Sequence, residues 1–195
     1  MGRGTDIPFG CACGTITGTL LAACPANGTH IACHCVDCRA AMVYCDQPDP
    51  APDPVPLYQT TPAQLRFDSG LDRLEVFSFG PKNILRWRAG CCGAPMLNTL
   101  RNPKISFVGL HTQRLTAPEA LGRLRGYAFV PGAQGRTKHT GTATFVWGMI
   151  KRSLLARITG RWRETPLFDV TTGQPIAPIQ LVPKDARKAL LKRLR

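Results

Sequence analysis

The sequence predicts a mainly β protein of small antiparallel sheets, followed by a basic, helical C-terminal extension. Three observations carry this. Short runs of β-branched and aromatic residues recur over the N-terminal half, separated by Gly, Pro, Asn and Asp turns. Seventeen prolines and 19 glycines in 195 residues favour turns and short strands over long helices. Seven of nine cysteines fall in three tight groups, Cys11/Cys13, Cys33/Cys35/Cys38 and Cys91/Cys92, as ligands at strand ends and turns would.

The elements follow in order. Residues 9–20 read as a strand with β-branched alternation, on which Cys11 and Cys13 share one face; Gly14 allows the tight backbone of a metal knuckle. Residues 25–28 are a turn, and 29–33 a second strand. After Cys38, residues 39–44 form one or two helical turns. Prolines at 48, 50, 52, 54 and 56 make 47–56 an extended, exposed loop. Strands are expected at 57–60 and 64–68, a hairpin at 74–79 and 84–89 around Gly80-Pro81-Lys82-Asn83, and a strand at 105–110. Residues 7–112 thus form the cysteine-bearing β domain, and 113–195 an extension packed on it. That extension holds a short strand at 127–131, a glycine-rich basic loop at 132–141, and a helix over 145–161. A short basic helix over 185–195 ends it. In the longer helix Trp147, Ile150, Leu154 and Ile158 recur at helical spacing, and the expectation is that this stripe packs on the sheet rather than lying on a membrane.

Charge divides the same way. Residues 1–98 carry 7 Lys and Arg against 8 Asp and Glu; residues 99–195 carry 18 against 4. The net charge of +13 therefore lies almost wholly in the C-terminal half, which invites nucleic acid or another anionic partner. A solvated surface is the favoured reading of that charge. No apolar run is long enough to cross a bilayer. The opening MGRGTDIPFG lacks a signal-peptide core, and Asp6 breaks the myristoylation pattern, so a cytoplasmic protein is expected.

The chemistry centres on Cys33-His34-Cys35-Val36-Asp37-Cys38. Residues two apart on an extended strand share a face, so Cys33 and Cys35 project together and Cys38 turns back towards them. Three converging thiolates need a cation, and zinc is the natural occupant. The open question is the fourth ligand. Structural zinc sites are closed by four protein ligands, whereas catalytic ones leave a position free. Adjacent strand residues point to opposite faces, so Cys91 and Cys92 are not expected to bind one ion together. One of them completes the Cys11/Cys13 pair; the other reaches Cys33/Cys35/Cys38 or is simply buried.

Cys11-Ala12-Cys13-Gly14, Cys33-His34-Cys35-Val36-Asp37-Cys38 and the late Cys92-Gly93-Ala94-Pro95, in this order, resemble the glutathione-dependent formaldehyde-activating enzyme (GFA-like) family. Leu85-Arg86-Trp87-Arg88-Ala89-Gly90, Asn98-Thr99-Leu100 and Phe107-Val108-Gly109-Leu110 are similar to an uncharacterised bacterial branch of it, as are Pro166-Leu167-Phe168-Asp169 and Thr172-Gly173. The resemblance implies a β-tent fold around one or two zinc ions. It implies a structural zinc on Cys11, Cys13 and Cys92, and a reactive zinc on Cys33, Cys35 and Cys38, which become the catalytic residues. The implied activity is a carbon–sulfur lyase acting on a thiol–aldehyde adduct such as S-hydroxymethylglutathione. The family's late Cys-x-x-Cys-Gly would place a cysteine at Ala89; here Cys91 either replaces it or leaves the structural site short of a ligand.

Around these residues plainer roles are expected. His34 points away from the ligand cysteines, and Asp37 is a turn residue. Cys24 and Cys45 are ordinary thiols. Arg86, Trp87 and Arg88 form either an anion-binding edge for a glutathione carboxylate or an ordinary strand with an outward basic face. The competing function is a non-catalytic, zinc-stabilised module docking on an anionic partner through its basic half.

Overall fold

Residues 4–133 and 136–194 are described in a computed structural model. Residues 1–3 of the opening segment, positions 134–135 of the expected basic loop and Arg195 of the expected terminal helix lie outside the described residues. The described chain is mainly β, with twelve strands and three helices.

Two sheets form the body. The smaller contains β1 (Thr5–Gly10), β2 (Thr17–Ala23) and β5 (Leu65–Ser69), ordered β1-β2-β5 and antiparallel throughout. The larger has nine strands. From β3 (Thr29–Cys33) it runs through β4 (Val55–Thr60), β9 (Val108–His111), β8 (Pro95–Thr99), β7 (Leu85–Ala89) and β6 (Leu74–Ser78), all antiparallel. The C-terminal segment supplies strands beyond both ends of that run. β10 (Gly126–Pro131) pairs parallel with β3 and antiparallel with β11 (Thr137–Thr140), while β12 (Ile179–Leu181) pairs parallel with β6. The segment from 113 onward is therefore threaded into the same sheet as the cysteine-bearing part.

Alternation along the strands places two layers on the large sheet. Val76, Leu85, Trp87, Leu97 and Leu110 face the small sheet and bury against Ile7, Phe9, Leu20 and Leu65. The intervening residues face the helices. Ile31, Cys33, Val55 and Leu57 meet Cys38 and Met42 of α1 (Val36–Tyr44), while Phe77 and Phe79 meet α1 and α3 (Lys184–Arg193). With both faces covered, β8 is buried at every position, Pro95-Met96-Leu97-Asn98-Thr99. Its period-two signal disappears, which is why the sequence pattern missed it. Conversely, the expected loop at 132–141 contains a strand, β11, which the pattern missed because it is exposed throughout and carries no apolar alternation.

Three expectations change. Residues 9–20 are not one strand: the chain leaves β1 at Gly10, turns through 11–16 with Gly14 at φ +78°, and returns as β2. The expected proline loop ends early, because Val55 and Pro56 already belong to β4. Pro56 pairs with Ala32 of β3, one residue before the ladder to β9 begins at Leu57, so no ladder on that side needs its missing N–H. Most sharply, α2 (Thr142–Ile158) turns its predicted stripe outwards: Trp147, Ile150, Leu154 and Ile158 are all exposed.

Candidate metal centre

Two separate cysteine clusters form. The first brings Cys11, Cys13, Cys91 and Cys92 together, their Sγ atoms all within 4.8 Å of one another. Two turns build it. The turn between β1 and β2 is pinned by Cys11 N–H donating to Ile16 O (3.0 Å) and Gly14 N–H donating to Cys11 O (3.2 Å). Ile16 N–H then donates back to Cys11 Sγ at 3.2 Å. The turn between β7 and β8 is closed by Gly93 N–H donating to Ala89 O (2.7 Å), with Gly93 at φ +72°. Cys91 and Cys92 therefore sit in a turn, not on a strand, and the expected opposition of adjacent side chains does not apply. Both join the same cluster.

The donor set fits a tetrahedral ion. A zinc–sulfur distance near 2.3 Å places ligand sulfurs about 3.8 Å apart. The Cys11–Cys13, Cys11–Cys91 and Cys13–Cys91 separations are 3.5, 3.7 and 3.3 Å. Cys13 accepts hydrogen bonds from the hydroxyl and backbone N–H of Thr15, with the Cys91 and Cys11 thiols adding to them. Together these lower its pKa to about 6 and favour the ligating thiolate. Cys91 and Cys92 thus both stand with Cys11 and Cys13, in a group of four that could hold one ion.

The second cluster is Cys33, Cys35 and Cys38, again within 4.8 Å of one another. Cys33 ends β3, Cys35 caps α1, and Cys38 lies in the first helical turn. The helix begins inside the motif, three residues earlier than the sequence suggested, because Cys35 acts as its N-cap and accepts from Cys38 N–H at 3.3 Å. A helix N-terminus also favours negative charge at that point. Charge in the trio settles on Cys38. Hydrogen bonds from Cys33 and Cys35 hold its pKa well below the ordinary thiol value, and the Arg86 guanidinium adds to this. Cys33 is pushed up as donor to Cys35 and Cys38 and by burial. Cys35 accepts from Cys33, but donation to Cys38 and burial outweigh that and raise it to about 11.

Arg86, which the sequence offered only as part of an anion-binding edge or an outward basic face, stands instead at the trio. It lies on the helix-facing side of β7, is 5% exposed, and so forms no outward anion-binding edge. Its Nη1 lies 4.0 Å from Cys38 Sγ and 3.3 Å from Asn98 Oδ1, and its guanidinium lies over the Phe79 ring. No carboxylate pairs with it among the described residues. The Cys38 sulfur is the group of opposite charge beside it. With a divalent ion held at the trio, three thiolates would carry one net negative charge, which one guanidinium would neutralise. In sequence only its place between Leu85 and Trp87, both apolar, hinted at this. Its neighbours have other duties: Trp87 is buried and donates to Thr99 Oγ1 at 2.9 Å, and Arg88 pairs with Glu75 at 2.8 Å. Arg86→Met should weaken metal binding at Cys33/Cys35/Cys38 about 10–100-fold, as loss of an outer partner of a ligand commonly does. Competition with a chromophoric chelator reads this; unchanged affinity would refute the counter-charge role.

The remaining candidates take modest positions. His34 and Asp37 are half-buried, and Asp37 pairs with Arg187 of α3 at 2.9 Å. Cys45 is buried, which pushes its thiol up to about 12, and Cys24 is half-buried; neither joins a cluster. A cavity of about 460 Å3 opens beside the trio, lined by His34, Cys35, Asp37, Arg39, Phe129 and Arg136 among others. Among the described residues no helix is long and apolar enough to cross a membrane.

No curated protein matches the chain. A crystal structure of a Rhodobacter sphaeroides protein from a structural genomics programme is similar at 22% identity and a TM-score of 0.41, over 60% of this chain and 96% of that one. Residues 4–180 match a family described as "Family of unknown function (DUF6151)". That span takes in both cysteine clusters and the strands β10 and β11 of the large sheet, and the chain belongs to that family.

Proposed function

We propose that the protein is a GFA-like, zinc-dependent carbon–sulfur lyase that splits a thiol–aldehyde adduct such as S-hydroxymethylglutathione into thiol and aldehyde. The observation that carries this reading is the unequal filling of the two clusters. Cys91 and Cys92 both lie with Cys11 and Cys13, which completes four thiol donors there. Among the described residues no fourth Cys, His, Asp or Glu joins Cys33, Cys35 and Cys38, and the space beside Cys35 is a cavity of ligand size. The four-cysteine cluster has the make-up of a closed, structural site, and the trio that of an open one.

When bound at the trio, zinc would supply Lewis acidity and a soft seat for a substrate sulfur. The protein's own groups do the rest. Cys33, Cys35 and Cys38 hold the metal, and Arg86 offsets their charge. Arg136, on the exposed rim of the cavity, provides a cation for a substrate carboxylate, whereas Arg39 lines the same cavity but is already paired with Asp49. His34 lines the same cavity and can accept the hydroxyl proton of the adduct. In the reaction the carbon–sulfur bond breaks, the carbon keeps its oxygen as a carbonyl, and the sulfur leaves with the electron pair and is reprotonated.

Exchange spectroscopy on isotopically labelled formaldehyde mixed with glutathione tests the reading. Zinc-loaded protein should speed adduct exchange well above the spontaneous rate. Exchange at the spontaneous rate, with glutathione and with other small thiols alike, would sink it.

A further inference from the structure

We infer that the outer face of α2 is a docking surface for a bilayer containing anionic lipids. This does not rest on the lyase reading. The helix is mounted with its small and polar residues inwards. Ala156 is its buried residue, Arg152 donates to Thr29 Oγ1 at 3.1 Å, and Ser153 donates to Ser106 O at 3.0 Å. Gly148 packs so closely that a Cβ there would meet Thr29 Oγ1 at 3.1 Å. Phe145, packed against the core, and the half-buried Met149 share that side, and the remaining large apolar residues point outwards. Val146, Trp147, Ile150, Leu154, Leu155 and Ile158 are 37 to 74% exposed. At 3.6 residues per turn they share roughly half of the helix circumference. Lys151 and Arg157 fall towards the two margins of that half.

The charge around the face selects its occupant. Between Glu119 and Glu164 the chain holds nine Lys and Arg and no acidic residue. Eight of the nine are exposed, Arg152 being the half-buried one. A second copy of the chain would bring two such basic fields together. A nucleic acid would satisfy the cations but leave the aliphatic side chains and Trp147 in water. A bilayer with anionic headgroups takes both: apolar side chains enter the headgroup–acyl boundary, and the flanking cations meet phosphates.

Co-sedimentation of the full chain with vesicles of phosphatidylcholine plus phosphatidylserine, against phosphatidylcholine alone, tests this. Binding should appear on the anionic vesicles only and weaken with salt. Tryptophan emission should shift to the blue on binding, since of the three tryptophans Trp147 is 68% exposed, whereas Trp162 is half-buried and Trp87 is 1% exposed. Leu154→Glu/Ile158→Glu should weaken binding by more than about tenfold, because it removes two inserted side chains. Lys151→Glu/Arg157→Glu should weaken it through charge alone. Both positions pairs are exposed, so thermal unfolding should match wild type and report that the fold is intact. Equal binding to both vesicles would overturn the proposal. So would a dimer in gel filtration that Leu154→Glu/Ile158→Glu dissolves with no vesicle binding. Binding to RNA that the charge reversal abolishes and Leu154→Glu/Ile158→Glu leaves intact, with none to vesicles, would overturn it as well.

Discussion

Cys11→Ser is expected to leave the protein largely unfolded at ambient temperature, and strong chelation should do the same to wild type. The four-cysteine cluster joins the β1–β2 turn of the small sheet to the β7–β8 turn of the large one. Without it, the turn at 11–16 has only a few backbone hydrogen bonds to hold its shape. Structural zinc sites contribute on the order of 10–16 kcal/mol in small domains, against a total stability of about 5–15 kcal/mol for a typical protein. Cys11 is the buried member of the four, so a serine there also places a smaller hydroxyl where the Cys11 sulfur accepts from Ile16 N–H. Far-ultraviolet circular dichroism with urea titration reads the effect. A cooperative transition with an unshifted midpoint would show that the cluster does not hold the sheets together.

Cys33→Ala should behave in the opposite way, abolishing turnover and metal at the trio while leaving the fold in place. Cys33 ends β3, a strand hydrogen-bonded on both sides, to β4 and to β10. Removing one small buried group there costs about 1 kcal/mol. The functional loss is far larger, because two thiol donors with open surroundings make a poor site for a divalent ion. Adduct exchange should fall to the spontaneous rate, with urea unfolding close to that of wild type. If Cys33→Ala instead unfolds the protein as Cys11→Ser does, the trio is a second structural knuckle, and the non-catalytic reading gains.

Much of the site was legible because metal ligands are specified locally. Spacing alone placed Cys33, Cys35 and Cys38 together, since an extended strand running into a turn leaves few other arrangements. The pairing of Cys11/Cys13 with the late cysteines was legible only as an alternative. Whether Cys91 and Cys92 oppose each other depends on strand or turn backbone, and Gly93 in the left-handed region settles it for the turn. Arg86 was not legible, because the same residue on an outward strand face would look identical in sequence. The orientation of α2 was misread for a related reason. Apolar periodicity shows which residues share a face, but not which face the sheet accepts. Here the approach of Gly148 to Thr29, and the hydrogen bonds of Arg152 and Ser153, chose the polar side. β8 escaped notice because burial on both faces erases alternation, and β12 because three residues carry too little pattern.

The central claim is that the seven clustered cysteines make two separate sites, one closed by four thiols and one left open with three. Zinc-to-protein stoichiometry by native mass spectrometry tests it most directly, on wild type, Cys33→Ala and Cys91→Ser. Two ions are predicted for wild type and one for Cys33→Ala. Cys91→Ser should keep the ion at Cys33/Cys35/Cys38 while weakening the other. A single ion in wild type, lost equally on changing Cys33 or Cys91, would mean that Cys91 closes the trio, and would contradict the account.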